Sequence, residues 1–195
     1  KQAGHIKGSP LQVVKGQSIR SGHKAKVVYL GADYCPYCAA MRWPLIMALQ
    51  RFGNFKNLKY MRSSSEDVHA NTPTFSFHGA DFQSQTIVFH GVEIKDRRGH
   101  KLTEPTSKED KLVHQFDRQP YTSQPGAIPF LDIGGQYIEI GAPYNPKLLH
   151  GKSWQTIVQK LNNPNTHLSQ RLIEVTNLLT AAICDQDGNK PKRIC

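Results

Sequence analysis

The chain has 195 residues and a formal net charge of +10, with 38% hydrophobic and 21% charged residues. That is enough for one domain with a core, or one domain plus an insertion, and the composition is globular rather than disordered. No apolar run approaches the roughly 18 to 20 residues that cross a bilayer, and no nucleic-acid module accompanies the basic charge, so nucleic acid is not an expected partner.

The start at Lys1-Gln2-Ala3-Gly4 shows no signal peptide and reads as that of a mature or trimmed form. Residues 1–24 are rich in Gly, Ser and Lys. Lys1, Lys7, Lys15, Arg20, Lys24 and Lys26 all precede the first acid, Asp33. The stretch is expected to be an extended, solvated basic leader with a short strand at Leu11-Gln12-Val13-Val14; docking on an anionic surface is the alternative. Ala25 to Gly31 is β-branched and apolar, as a buried strand would be. A helix is expected from near Cys35, with Met41, Leu45, Leu49 and Phe52 on one face, a kink at Pro44 and a stop at Gly53-Asn54. Leu58 to Arg62, Thr74 to Phe77 and Thr86 to Phe89 read as strands, and Ser107 to Phe116 as a short helix with Leu112, Val113 and Phe116 inward. From Gly126 to Ile140, two apolar strands flank Gly134-Gly135, a hairpin signal. Two helices follow, one marked by Trp154, Ile157, Val158 and Leu161 and ended by Pro164, the other by Leu168, Leu172, Val175, Leu179 and Ala182. The order predicts an α/β fold, a mixed sheet covered by helices, because a helix joining two strands implies a right-handed parallel crossover. Residues 25–195 are read as a single domain with an insertion at about 64–125.

The four cysteines fall into two local pairs. Cys184 and Cys195 enclose a turn-like Asp185-Gln186-Asp187-Gly188-Asn189 and suit a structural disulfide, which predicts an oxidising, extracytoplasmic compartment. Cys35 and Cys38 sit two residues apart at a helix start. There the unpaired N–H groups and the helix dipole favour a thiolate at Cys35, and Cys38, one turn in and deeper, can resolve a mixed disulfide. Cys35 is thus the candidate nucleophile and Cys38 the candidate resolving thiol, a redox-active pair that needs no other cofactor. Pro36 suits the first helical turn, where its missing donor costs nothing. A zinc half-site completed by Cys184 and Cys195, or a static bridge, stay open as other readings of the pair. The nine histidines form no metal-ligand spacing and are expected to be surface or packing residues, so no metal is expected. Asp33 could move protons near the thiols; capping the helix is the preferred role. Asn71-Thr72-Pro73 reads as an ordinary turn, and Trp43 and Trp154 as packing residues.

Tyr34-Cys35-Pro36-Tyr37-Cys38 after Val27-Val28-Tyr29-Leu30-Gly31-Ala32 resembles the active-site entrance of the thioredoxin superfamily, and its Pro36-Tyr37 dipeptide is the one typical of glutaredoxins. Ile128-Pro129 before a hairpin resembles the superfamily's cis-proline loop. That resemblance implies a thioredoxin-like mixed sheet flanked by helices, with the insertion between its βαβ and ββα halves. It also implies that Pro129 is cis and faces the cysteines, and that the backbone at Ile128, beside Pro36 and Tyr37, pairs with an extended substrate peptide. From about Lys26 onward, the stretches Gly31 to Ala40, Asn71 to Phe77, Ile128 to Phe130 and Leu179 to Cys184 resemble a prokaryotic thioredoxin-like family catalogued as a domain of unknown function. Its members are commonly exported or membrane-tethered. The chain departs from the thioredoxin pattern at Tyr29, where many members carry a buried acid, and at Tyr34, where thioredoxins carry tryptophan. The resulting expectation is a thiol–disulfide oxidoreductase, an oxidase or isomerase rather than a reductase. Its partners would be protein thiols or disulfides and a further redox protein, and any membrane tether would lie in a segment beyond this chain. A non-catalytic binding or scaffold domain with a static Cys35–Cys38 bridge is the alternative.

Overall fold

The computed structural model describes residues 11–195, so Lys1 and Lys7 of the expected leader lie outside the described residues. From Leu11 onward that leader is part of the domain. Strand β1 (Gln12–Val13) pairs antiparallel with Tyr137 and Ile138, and β2 (Arg20–Ser21) pairs with the start of β3 (Lys24–Gly31). Leu11 and Val14 are buried. Two-residue strands carry no readable period, which is why composition alone suggested a solvated leader. In β3, Val27 to Gly31 are buried without interruption, as a strand covered on both faces must be.

Helix α1 (Pro36–Leu49) begins where expected, with Cys35 as its N-cap and Pro36 in its first turn. It ends at Leu49, three residues before the expected last helical residue, Phe52. Gly53 and Asn54 do not stop a helix but open β4 (Gly53–Lys56). Pro44 lies within α1 and has no amide hydrogen to give the carbonyl one turn back, that of Ala40. The Tyr144 hydroxyl donates to the Ala40 carbonyl oxygen instead, at 2.7 Å.

Strands β5 (Lys59–Arg62) and β6 (Pro73–Ser76) form one small antiparallel sheet, and β4 and β7 (Asp81–Ser84) form another. The parallel neighbour of β3 is β8 (Ile87–Glu93), in register from Ala25↔Ile87 to Gly31↔Glu93. This corrects the expectation that the Leu58–Arg62 run completes the crossover. That run is largely exposed, whereas a neighbour of the central strand must bury both faces. The stretch expected as an insertion at 64–125 thus contains a strand of the main sheet: residues 53–84 precede β8 and residues 94–129 follow it.

Helix α2 (Ser107–Phe116) starts on a capping box in which Thr106 and Glu109 exchange hydrogen bonds. Glu109 also binds Lys26 of β3 at 3.2 Å and His90 of β8, which ties the helix to the sheet. Strands β9 (Phe130–Ile133) and β10 (Tyr137–Ile140) form the expected hairpin. Its turn needs glycine: Gly134 and Gly135 have φ of 66° and 75°, and a Cβ at Gly135 would lie 2.0 Å from the Gln17 carbonyl oxygen. Helices α3 (Trp154–Leu161) and α4 (His167–Asp187) complete the chain.

The main sheet runs β1-β10-β9-β3-β2, with β8 parallel to β3 and the other pairings antiparallel. Side chains alternate across it. Tyr29, Leu131, Ile133 and Tyr137 join α1 and α4 in the large core, while Val14, Leu30, Phe130 and Ile138 meet Phe116 of α2 on the other face. The protein is thus a mixed α/β fold, a mixed sheet between helices, with four α-helices among the described residues. Cys184 and Cys195 are joined in a disulfide, Cα to Cα 5.6 Å, which folds the C-terminus back on the end of α4.

Candidate functional site: a dithiol over a buried ion pair

Cys35 and Cys38 are both free thiols. The N-cap position places the Cys35 sulfur at the open end of α1, where the Cys38 backbone N–H donates to it at 3.2 Å. The Cys35 thiol in turn donates to the Ile128 carbonyl oxygen at 3.8 Å, and the Ile128–Pro129 peptide is cis. The two sulfurs differ in character. Hydrogen bonds from the Cys38 side chain and backbone hold the Cys35 thiol below its ordinary pKa against the pull of burial, with Arg42 adding to the effect. Burial, and then Cys35 itself, push the Cys38 thiol well up. Cys35 is only 4% exposed, packed with Ala32, Cys38, Tyr34, Ile94 and Ile128; Cys38 is fully covered. Pro36 is buried, while Tyr37 is exposed.

Below the thiols lies a set of charges that sequence reasoning missed. Arg42, one turn beyond Cys38 on α1, is completely buried. Its Nε donates to Glu93 Oε1 at 2.9 Å, and one terminal nitrogen donates to Glu93 Oε2 at 2.6 Å and to the Ala32 carbonyl at 2.7 Å. Burial raises the Glu93 carboxyl above its ordinary range and the guanidinium opposes the rise; the contact between the two is bidentate. Asp33 Oδ1 lies 3.7 Å from Arg42. Asp33 therefore does not cap α1, a place Cys35 takes; it is buried beside the pair, and burial raises its pKa while Arg42 opposes the rise. The Tyr29 ring lies under the guanidinium, 5.8 Å from its carbon, with its hydroxyl buried and unpartnered. Gly31 makes room for that hydroxyl, since a Cβ there would lie 2.3 Å from it. A signal for Arg42 was present. It is the one charged residue in Pro36 to Leu49, a helix apolar on every face, and a helix of that kind buries its charge and requires a partner. Nothing local marks Glu93 as that partner.

The rim of the site comes from the loop 63–72. Ser64 N–H donates to the Tyr34 carbonyl, Ser63 and Thr72 pair through their backbones, and Arg97 donates to Ser63 O and Asn71 Oδ1. Asn71 and Thr72, expected as an ordinary turn, are thus bonded to the segment that meets Tyr34 beside Cys35. A groove of about 860 Å³ opens past Tyr34, with Glu66, Asp67 and Val68 on one side and Lys95, Arg97 and Arg98 on the other. On the opposite shoulder His69 makes edge contacts with Tyr37 and His150. Trp43 and Trp154 pack ring to ring with centroids 5.0 Å apart. Cys184, in the large core, is bonded to the exposed Cys195, so neither supplies a ligand to Cys35 and Cys38, and no group of three or more His, Cys, Asp or Glu among the described residues could hold a metal ion.

Comparison with curated proteins returns no match, and comparison with solved structures returns none either. A family model matches from β1 to the last turns of α4, a span that takes in the dithiol, the Arg42–Glu93 pair and the hairpin. The chain belongs to the family described as a domain of unknown function, DUF929, over residues 11–185.

Proposed function

We propose that this protein is a thiol–disulfide oxidoreductase of thioredoxin-like architecture, acting on protein thiols or disulfides outside the cytoplasm, with Cys35 as nucleophile and Cys38 as resolving thiol. The observation that carries the reading is the asymmetry of the pair. Cys35 sits at the N-cap with the Cys38 N–H on its sulfur, and Cys38 is buried a turn below. Exchange needs one low-pKa sulfur to attack and a second within reach to displace the bound partner. The strand order supports the architecture: β3 lies between parallel β8 and antiparallel β9, with α1 leading out of β3. The cis Ile128–Pro129 peptide brings a backbone carbonyl to the nucleophile, where an extended substrate segment could add as a strand. The groove past Tyr34 would take the rest of that segment. The Cys184–Cys195 bridge supports an oxidising compartment.

A second reading, a binding domain whose dithiol is never attacked, is favoured by the low exposure of Cys35. One experiment separates the two. Cys38→Ser in the full chain removes the resolving thiol, so a catalytic domain incubated with a reduced-and-reoxidised protein substrate accumulates mixed disulfides through Cys35. Cys35→Ser forms none. Absence of any Cys35 adduct in Cys38→Ser, alongside no exchange by the unaltered protein, would leave the binding domain as the answer.

A further inference from the structure

Arg42 is costly where it stands. A buried cation needs a full set of partners, and this one has a bidentate carboxylate, a backbone carbonyl and one terminal nitrogen left buried without an acceptor. A purely structural pair would be as well served by apolar side chains of similar volume. Its position supplies another role. Residues four apart share a helix face, so Arg42 stands under Cys38. Its guanidinium is pinned to the Ala32 carbonyl, and Ala32 packs directly with both cysteines.

We propose that the Arg42–Glu93 pair sets the redox poise of the Cys35–Cys38 couple, Arg42 favouring the reduced form and Glu93 opposing it. The proposal rests on the exchange reading above and adds its direction. In the oxidising half-reaction a substrate thiolate attacks the Cys35 sulfur of the Cys35–Cys38 disulfide. The S–S bond breaks and Cys38 leaves as a thiolate that takes up a proton. A second substrate thiolate then attacks the substrate sulfur of the mixed disulfide, and Cys35 leaves as a thiolate. Two electrons pass from the substrate thiols to the couple, and a substrate disulfide forms. Negative charge thus appears on the cysteines only in the reduced state. A fixed cation beneath them stabilises that state and makes the disulfide more oxidising; a fixed anion does the reverse. Arg42 is completely buried, so bulk solvent screens its field little and Glu93 is what offsets it. The groups facing the sulfurs are Arg42 from α1, Tyr29 from β3, Glu93 from β8 and Tyr34 from the loop between β3 and α1; Asp33 of that loop faces Arg42. Of these, Arg42 alone is a cation. Arg42 is a positioning charge and Glu93 the brake on it.

The test is the equilibrium of the full chain with glutathione and glutathione disulfide at pH 7. The Cys35–Cys38 state is read by alkylation and peptide mass, which separates it from Cys184–Cys195. Arg42→Met should move the equilibrium constant at least tenfold toward the disulfide, about 30 mV for a two-electron couple. Glu93→Gln should move it toward the dithiol, and Arg42→Lys should stay near the unaltered protein. Opposite signs are the decisive feature, because loss of a merely structural pair would disturb both variants in the same direction. Shifts of the same sign, or shifts under twofold in both, overturn the proposal. If Arg42→Met does not fold, Glu93→Gln and the paired R42M/E93M carry the test: the first must still move toward the dithiol and the second must reverse that move. The pH midpoint of Cys35 alkylation in the Cys38→Ser background reads the same field without any exchange. It should rise with Arg42→Met and fall with Glu93→Gln. An unaltered protein that never equilibrates with glutathione sinks the exchange reading alone; unchanged alkylation midpoints sink the role of the pair.

Discussion

Asp132, on β9, is held by half its capacity. Its Oδ1 accepts the Gly135 N–H at 2.8 Å and so shapes the hairpin turn, while Oδ2 is buried without a partner. Burial pushes this carboxyl up to about 7, with the Gly135 bond pulling back. An unfolded Asp titrates near ~3.9. Below about pH 4 both states hold the proton; between about 4 and 7 only the folded state does. Stability from this group is therefore full in acid, falls as pH rises through that window, and is flat above it. The loss is on the order of 2 to 4 kcal/mol, at about 1.4 kcal/mol per pH unit. Glu139, buried with both oxygens unpartnered, is shifted in the same sense. Asp132→Asn keeps the bond to Gly135 and cannot ionise. Thermal melts should show it equal to the unaltered protein at pH 4 and more stable at pH 8. A variant equally destabilised at both pH values would rule this account out. At this scale the sequence was uneven: the roles of Cys35 and Cys38 follow from spacing and a helix start, whereas Asp132 and Glu139 look like ordinary strand residues until the layers above and below them are known.

At the scale of the element, α1 shows how a local rule can be broken and mended from a distance. Proline inside a helix costs roughly 3 kcal/mol or more, in part through an orphaned carbonyl. Here the orphan is Ala40 O, and Tyr144, more than a hundred residues later, supplies the donor. Tyr144→Phe should cost about 1 to 2 kcal/mol by leaving that carbonyl unpaired in the core. In a Pro44→Ala background the helix regains its own amide donor, so the same change should cost much less. Denaturant melts of the four proteins form the cycle, and an additive result would mean that the hydroxyl has no such role. Helices α2, α3 and α4 were legible from their apolar period, and the structure adds a cap to the start of each: Thr106 with Glu109, Ser153 and Thr166. The end of α1 was not, since Phe52 keeps the helical spacing and is buried, yet reaches the core from the turn before β4.

At the scale of the molecule, the sheet's partners were the hardest to read, because β5 and β8 both follow α1 as short strands and assembly decides which lies beside β3. The dithiol, by contrast, ties local chemistry to global stability. In the unfolded chain neither the helix end nor Arg42 acts on Cys35. In the folded chain the Cys38 N–H and Arg42 favour the Cys35 thiolate. By the cycle linking folding with reduction, that preference stabilises the reduced protein, against roughly 2 kcal/mol of chain entropy that the bridge gives the oxidised one. A thiol whose pKa is lowered on folding contributes stability that is full above the unfolded value of about 8.5 and is lost as pH falls through the lower folded value. The stability of the reduced protein relative to the oxidised one should therefore be greater at pH 8.5 than at pH 5. Guanidinium melts in a Cys184→Ala/Cys195→Ala background, where reductant acts only on Cys35–Cys38, measure it directly. A difference between the two forms that stays the same from pH 8.5 to pH 5 would show that the fold does not favour the thiolate.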